Sequence, residues 1–361
     1  MKNRTKVIPI FIPHEGCPHD CVFCNQKKIS GSIKSPSIEE IKDIIEASLL
    51  TIDRSKYSII LAFYGGSFTA IPQSKQKMYL EIAREYKHNN KIQYIRLSTR
   101  PDYMDENQVN LLKEYKVDHV ELGIQSTNPE VLNCAKRYYS MKDIQIAVKN
   151  LITVQIDYGF QIMPGLPKDT KDKFIKTCID LLPLKPSTLR IYPTIVIEGT
   201  EMEEMFDEGL YKPLSLDEAV EWTMIGYILF KQIGTDIIRM GLHASESLLY
   251  EDNIIAGPFH SAFGEMVESR IYWYMIEELV QEHNLQNTQI YIRANPKNFS
   301  KISGNKGENR NKLENKYKIK YKFLEERSLI EDMIIEYENK SYFLNKKEFC
   351  DKINSWIKCV I

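Results

Sequence analysis

The chain has 361 residues, with 48 Lys and Arg against 49 Asp and Glu and a formal net charge of −1 at pH 7. That balance excludes a generally polybasic nucleic-acid binder, so any RNA surface has to be local, and no apolar run reaches the ~18 residues of a membrane span. Seven cysteines, an odd number, in a chain long enough to bury its own core exclude a full disulfide framework and point to a reducing, cytoplasmic setting.

The first residues hold a short apolar run and no small-residue cleavage site, so no leader is expected. Strand-like runs at residues 7–12, 58–64, 94–98, 119–124, 156–162 and 188–192 alternate with amphipathic segments at 38–50, 74–88, 106–116, 141–153 and 170–182. The first of these segments opens on a capping box, Ser37 with Glu40. Six β/α units at ~30-residue spacing predict an α/β fold with a parallel sheet and right-handed crossovers. Six are too few to close an eight-fold barrel, which predicts a partial (β/α)6 TIM-like barrel over residues 1–215. Its site belongs at the C-terminal strand ends, where the loops after the strands gather on one rim. Residues 216–361 read as an extension closing the barrel plus a small α+β appendage: helices at 217–233 and 265–282, strands at 237–240 and 289–293, and a polar stretch at 295–315.

Cys17, Cys21 and Cys24 are crowded as C-x3-C-x2-C between Gly16 and Asn25, while Cys134, Cys178, Cys350 and Cys359 are scattered. Three thiolates so spaced suit three irons of a [4Fe–4S] cube and leave the fourth iron for a chelating ligand. The alternative is a zinc site with His14 or His19 as fourth ligand, hence a non-catalytic zinc or Fe–S protein. Gly65 and Gly66 permit close backbone approach to a ligand. Gln125 and Gln161 end apolar strands and, if buried, need partners that a polar cofactor supplies.

The stretches GCPHDCVFCNQ, FYGGSFTAI, LSTRPD, VELGIQS, IMPGLP and LRIYPTIVIEGTEM, in that order over about residues 5–215, resemble the radical S-adenosylmethionine (SAM) superfamily. Within it they resemble the radical core of the Elongator catalytic subunit and its relatives. The resemblance implies a barrel of that type, with Cys17, Cys21 and Cys24 on the cluster and SAM on the fourth iron. It implies reductive cleavage of SAM to a 5′-deoxyadenosyl radical that takes hydrogen from a substrate, fed by an external flavodoxin- or ferredoxin-type donor. It places Phe23 near the adenine and Gly65, Gly66 and Ser67 at the methionyl amine, with Ser67 where the wider superfamily commonly has Glu. Ser98, Gln125, Gln161 and Arg190 are expected SAM or substrate contacts.

The Elongator subunit acts on the tRNA wobble uridine with a basic N-terminal region and an acetyltransferase domain. Six residues before the first expected strand make no such arm, and no acetyl-CoA loop pattern follows Arg239, so a small nucleobase-like substrate is expected. The resemblance to stand-alone members suggests a queuine lyase, splitting the C–N bond of queuine to release preQ1. Asp102, Tyr192, Arg239, His243, Glu246, His260 and Glu265 are the substrate candidates. The alternative is a tRNA-modifying enzyme using segment 296–322, which holds nine Lys or Arg against two Glu. Its Gly304-Asn-Lys-Gly307 resembles the G-x-x-G loop of KH RNA-binding domains.

Overall fold

In the computed structural model, which describes residues 4–12, 21–25, 35–242 and 253–360, all six expected strands form. They are β1 (Arg4–Ile12), β2 (Tyr57–Gly65), β3 (Tyr94–Thr99), β4 (His119–Gln125), β5 (Asp157–Ile162) and β6 (Thr188–Ile191). They lie side by side in chain order and pair parallel throughout. Their near-continuous apolar runs suit a parallel sheet covered on both faces. The covering helices are α1 (Ile38–Thr51), α2 (Gln73–His88), α3 (Glu106–Glu114), α4 (Pro129–Cys134), α5 (Met141–Thr153) and α6 (Lys171–Leu181). The capping box at α1 is present: Ser37 N donates to Glu40 Oε2 at 2.7 Å and Glu40 N to Ser37 Oγ at 3.2 Å.

The sheet continues for one strand more than the spacing predicts. After β6 come β7 (Val196–Ile197), α7 (Glu201–Asp207) and α8 (Leu216–Gln232), and then β8 (Asp236–Met240) pairs parallel with β6. The excursion through β7 and α7 stretches the interval beyond the usual β/α repeat, which hides the seventh unit from a periodicity argument. Helix α8 buries eleven residues on all sides, as a helix enclosed between two layers must. The parallel sheet therefore runs past residue 215, and β9 (Ile254–Ala256) returns to pair antiparallel with β7.

Beyond it lie α9 (Phe263–Glu282), β10 (Gln289–Ala294), α10 (Phe299–Ser303), α11 (Glu308–Tyr317), β11 (Lys320–Glu325), β12 (Met333–Tyr337), β13 (Lys340–Leu344) and α12 (Lys346–Val360). Their sheet has the order β11-β10-β12-β13, with only β10 and β11 parallel. Two helices occupy the stretch read as merely polar, because α11 buries only Asn309 and Leu313, one turn apart. A single apolar core runs from Ile8 and Phe160 in the barrel through Phe230 and Trp273 to Ile290 and Ile335. At the opposite end from the rim, buried His119 sits between Asp157 Oδ2 (2.9 Å) and Thr188 Oγ1 (3.1 Å). Burial pushes its pKa down against the pull of Asp157, and this end of such barrels serves stability. Among the described residues no helix is long and apolar enough to cross a membrane.

Candidate active site

The curl of the sheet brings the C-terminal ends of β2 and β6 face to face: Arg190 Nη2 donates to Tyr64 Oη at 2.8 Å. The same guanidinium lies 2.8 Å from Glu121 Oε2 on β4 and donates to Tyr192 Oη at 3.3 Å. From β3, Ser98 Oγ donates to Glu121 Oε1 at 3.2 Å. On β8, Arg239 donates to the Gly241 carbonyl at 3.3 Å, and its charge reaches Tyr192. Five strands thus contribute to one polar group across the mouth of the half-barrel. Glu121 is 2% exposed, and a carboxyl so buried needs a partner such as the Arg190 guanidinium beside it. Burial opposes the charge of Arg190, yet Glu121, first among its partners, holds it above the ordinary arginine range.

Some of this polarity is unspent. Arg190 Nε and Glu121 Oε2 attract one another but are not aligned as a directed hydrogen bond, and Arg100 Nη1 has no hydrogen-bond partner among the described residues. The two glutamines answer each other instead of waiting for a cofactor: Gln161 Nε2 donates to Gln125 Oε1 at 3.3 Å. Gln125 is buried at φ +60° on a register shift of β4, a local strain of the kind found at functional rims.

The cysteine loop docks on this rim. Arg137, which follows α4, donates to Cys21 Sγ at 3.4 Å, to Gly123 O at 2.6 Å and to Tyr139 Oη at 2.9 Å. Arg100 grips Asp102 through two bonds of 2.9 and 2.8 Å and lies over the Tyr139 ring at 5.5 Å. Phe23 packs among Val22, Val131, Ala135 and Leu166 on one side and Val196, Met202 and Tyr211 on the other. Asn25 Nδ2 donates to Glu198 O at 3.1 Å and Met202 N to Val22 O at 2.9 Å, fastening the loop to the segment after β6.

Gly65 has φ +114°, and a Cβ there would stand 2.5 Å from Ile12 O. Only glycine lets this turn close on the end of β1, where Gly66 N also bonds Ile12 O at 3.0 Å. Ser67 is buried, and Thr69 shares a 2.6 Å hydroxyl bond with Thr99 that joins this loop to the end of β3. Across the rim, Asp169 accepts from Gly165 N at 3.0 Å and Thr170 N at 2.9 Å, holding the Met-Pro-Gly-Leu-Pro loop. Burial lifts its pKa to about 6.

Two of the expected substrate residues make their recorded bonds to the C-terminal layer. Glu265 accepts from Ser300 Oγ at 2.8 Å and His260 Nε2 lies 3.5 Å from Asn305 Nδ2, both in the C-terminal layer, and neither bonds a rim residue among the described ones. Asp102 is held by Arg100, as described. Cys17, His243, Glu246 and the zinc alternatives His14 and His19 fall outside the described residues. Sequence reading passed over Tyr64, Arg100, Glu121, Arg137 and Tyr139. Glu121 had a legible signal, a lone charge inside the apolar run HVELGIQ; Arg137 had none, since its partners arrive from distant strands.

The model of the radical SAM superfamily matches residues 11–181, and that of the Radical_SAM C-terminal domain matches residues 186–272. A tRNA uridine(34) acetyltransferase of Methanocaldococcus jannaschii is 33% identical over 185 residues, 50% of this chain and 32% of that protein. The chain thus spans about a third of that relative's length. An uncharacterized protein of the same organism is 27% identical over 263 residues, 68% of this chain and 80% of the relative. Among solved structures, the Elp3 of Methanocaldococcus infernus with an N-terminal deletion matches with a TM-score of 0.58 at 22% identity, covering 76% of this chain and 64% of that one.

The residues present fit the superfamily's two cofactors. A cluster held by three thiolates is anionic, and Arg137 and Arg100 bring buried positive charge to Cys21. Arg100 Nη1, buried and without a hydrogen-bond partner among the described residues, offers a donor to a polar molecule such as SAM. With rim, sheet and consecutive domain models in agreement, the chain belongs to the radical SAM superfamily, with Elongator-like relatives, and is a radical SAM enzyme of the [4Fe–4S] cluster and SAM.

Proposed function

We propose that this enzyme modifies a nucleobase of tRNA. The observation that carries the reading is the 33% identity, over 185 residues, to a protein named for uridine 34 of tRNA. It favours the RNA-modifying alternative over the queuine lyase expected from the sequence, for which none of the relatives above is named. Acetyl transfer is not part of the proposal, because the likeness spans 32% of that protein.

Bound together, cluster and SAM supply a 5′-deoxyadenosyl radical from one electron delivered by an external donor. The chain's own residues provide the setting. Phe23 and its apolar neighbours pack against segment 21–25, and Arg137 holds Cys21 in place. The Tyr64–Arg190–Glu121–Ser98 group presents fixed donors and acceptors to whatever enters the mouth, so that their orientation is settled before binding.

The test is formation of 5′-deoxyadenosine by the anaerobically reconstituted enzyme with SAM and reductant. Unmodified bulk tRNA is expected to stimulate it several-fold, and free queuine not to. Stimulation by queuine alone would reject the RNA reading in favour of the lyase.

A further inference from the structure

Segment 289–325 contributes nothing to the rim, yet it folds into a distinct unit. Strand β10 leads through α10 to the turn Gly304-Asn305-Lys306-Gly307, then α11, and finally β11 pairs parallel with β10 from Gln289↔Lys320 to Ala294↔Glu325. A G-x-x-G turn joining two helices within such a β–α–α–β unit is the arrangement with which KH domains clamp about four backbone nucleotides.

The turn is rigid on its protein side and bare outside. Gly304 has φ 80° and Lys306 φ 50°, ψ 27°. A Cβ at Gly304 would stand 2.8 Å from Asn309 N, whereas one at Gly307 would meet nothing within 4 Å. Buried Asn309 donates to Ser269 O at 3.0 Å and Ile302 O at 3.1 Å, pinning the turn to α9. A backbone without side chains that faces open space is one a phosphate can approach closely.

Charge points the same way. Lys301, Lys312 and Lys316 are spent on Glu268, Glu308 and Glu277. Lys297, Lys306, Arg310, Lys318 and Lys322 are exposed, and none has an ion pair among the described residues. Beside the turn lies an open groove of ≈ 670 Å³ in which Glu277 and Glu308 offset Lys316 and Lys312, so that Lys306 is the cation of its lining left without an ion pair among the described residues. In a chain of net charge −1, this concentration of free cations is local, as a surface for a polyanion has to be.

We infer that the β10–α10–GNKG–α11–β11 unit clamps the sugar–phosphate backbone of a single-stranded RNA segment, Lys306 taking a phosphate at the turn. The inference deepens the tRNA reading above by naming where the RNA is held outside the barrel.

Its test is direct binding, independent of catalysis. Fluorescence anisotropy of the full chain is measured with a labelled single-stranded anticodon-loop RNA and with bulk tRNA over a series of KCl concentrations. Lys306→Asp reverses the charge at a φ that Asp tolerates, and Lys306→Arg preserves it. Lys306→Asp is expected to weaken RNA binding about tenfold and to lower the slope of log affinity against log salt by about 1; Lys306→Arg should do neither. Unchanged thermal melting shows that the variant is folded. RNA binding by Lys306→Asp equal to that of the wild type, or wild-type affinity no greater for RNA than for polyglutamate, overturns the clamp. If tRNA still stimulates 5′-deoxyadenosine formation in that case, the clamp fails while the tRNA reading stands. If queuine alone stimulates, the tRNA reading fails, and the anisotropy still decides the clamp by itself.

Discussion

Arg190 and Glu121 show how one buried pair organises a site. Two opposite charges removed from water survive only in each other's company, and removing one partner strands the other. Tyr64 and Tyr192 assist Arg190 through neutral hydroxyls and cannot replace a carboxylate. Glu121→Ala should therefore cost about 3–5 kcal/mol in urea unfolding of the metal-free chain. Glu121→Gln, which keeps the volume and a hydrogen-bond acceptor for Ser98, should cost less. Equal losses in both variants would mean that charge compensation is not what holds the group. From the sequence, the Cys17, Cys21, Cys24 triad was legible because its chemistry sits within eight residues. The Arg190–Glu121 pair was not, because the two lie 69 positions apart and meet only when β4 and β6 curl toward a common axis.

At the scale of elements, the loops after the strands are held by devices of their own: a crowded glycine after β2, a strained glutamine ending β4 and a buried carboxylate after β5. Asp169 carries a measurable signature. Burial raises its folded pKa to about 6, above the ordinary aspartate value of about 4, so the folded state binds this proton more tightly than the unfolded chain does. Its stabilising contribution is complete below about pH 4 and is lost as pH rises through about 6. Asp169→Asn has no such proton, so its melting temperature relative to wild type should improve between pH 4 and pH 6.5. A constant difference across that window would place the titration elsewhere. The loop itself was legible from its two prolines and glycine, but the state of its carboxylate was not, since burial depends on Tyr211 and α6 closing over it.

Across the whole molecule, the C-terminal layer is joined to the barrel by an unbroken core and by Lys346. Its Nζ lies over the Tyr227 and Tyr272 rings, 5.7 and 5.4 Å from their centres, and 3.1 Å from Glu331 and 3.7 Å from Glu268. The side chain is 5% exposed, so packing of its methylenes should outweigh its charge. Lys346→Met is expected to stay within about 1 kcal/mol of wild type, and Lys346→Ala to lose about 2–3 kcal/mol through the cavity it leaves. A large loss in the Met variant, read by the same urea titration, would show that the cation itself ties the layers.

The order of six strands, the parallel sheet, the rim and the spacing of Cys17, Cys21 and Cys24 were determined by the amino-acid sequence alone, because each rests on local periodicity or on residues a few positions apart. The tertiary structure decided what depends on distant segments meeting. It added β8 to the sheet, whose interval is stretched by β7 and α7, and drew Glu121, Arg137 and Tyr64 into the site. It bonded Glu265 to Ser300 of the C-terminal layer. It also turned a polar stretch with a G-x-x-G into two helices joined by a rigid turn, because a helix that buries only Asn309 and Leu313 becomes recognisable once α9 and β10 are there to receive them.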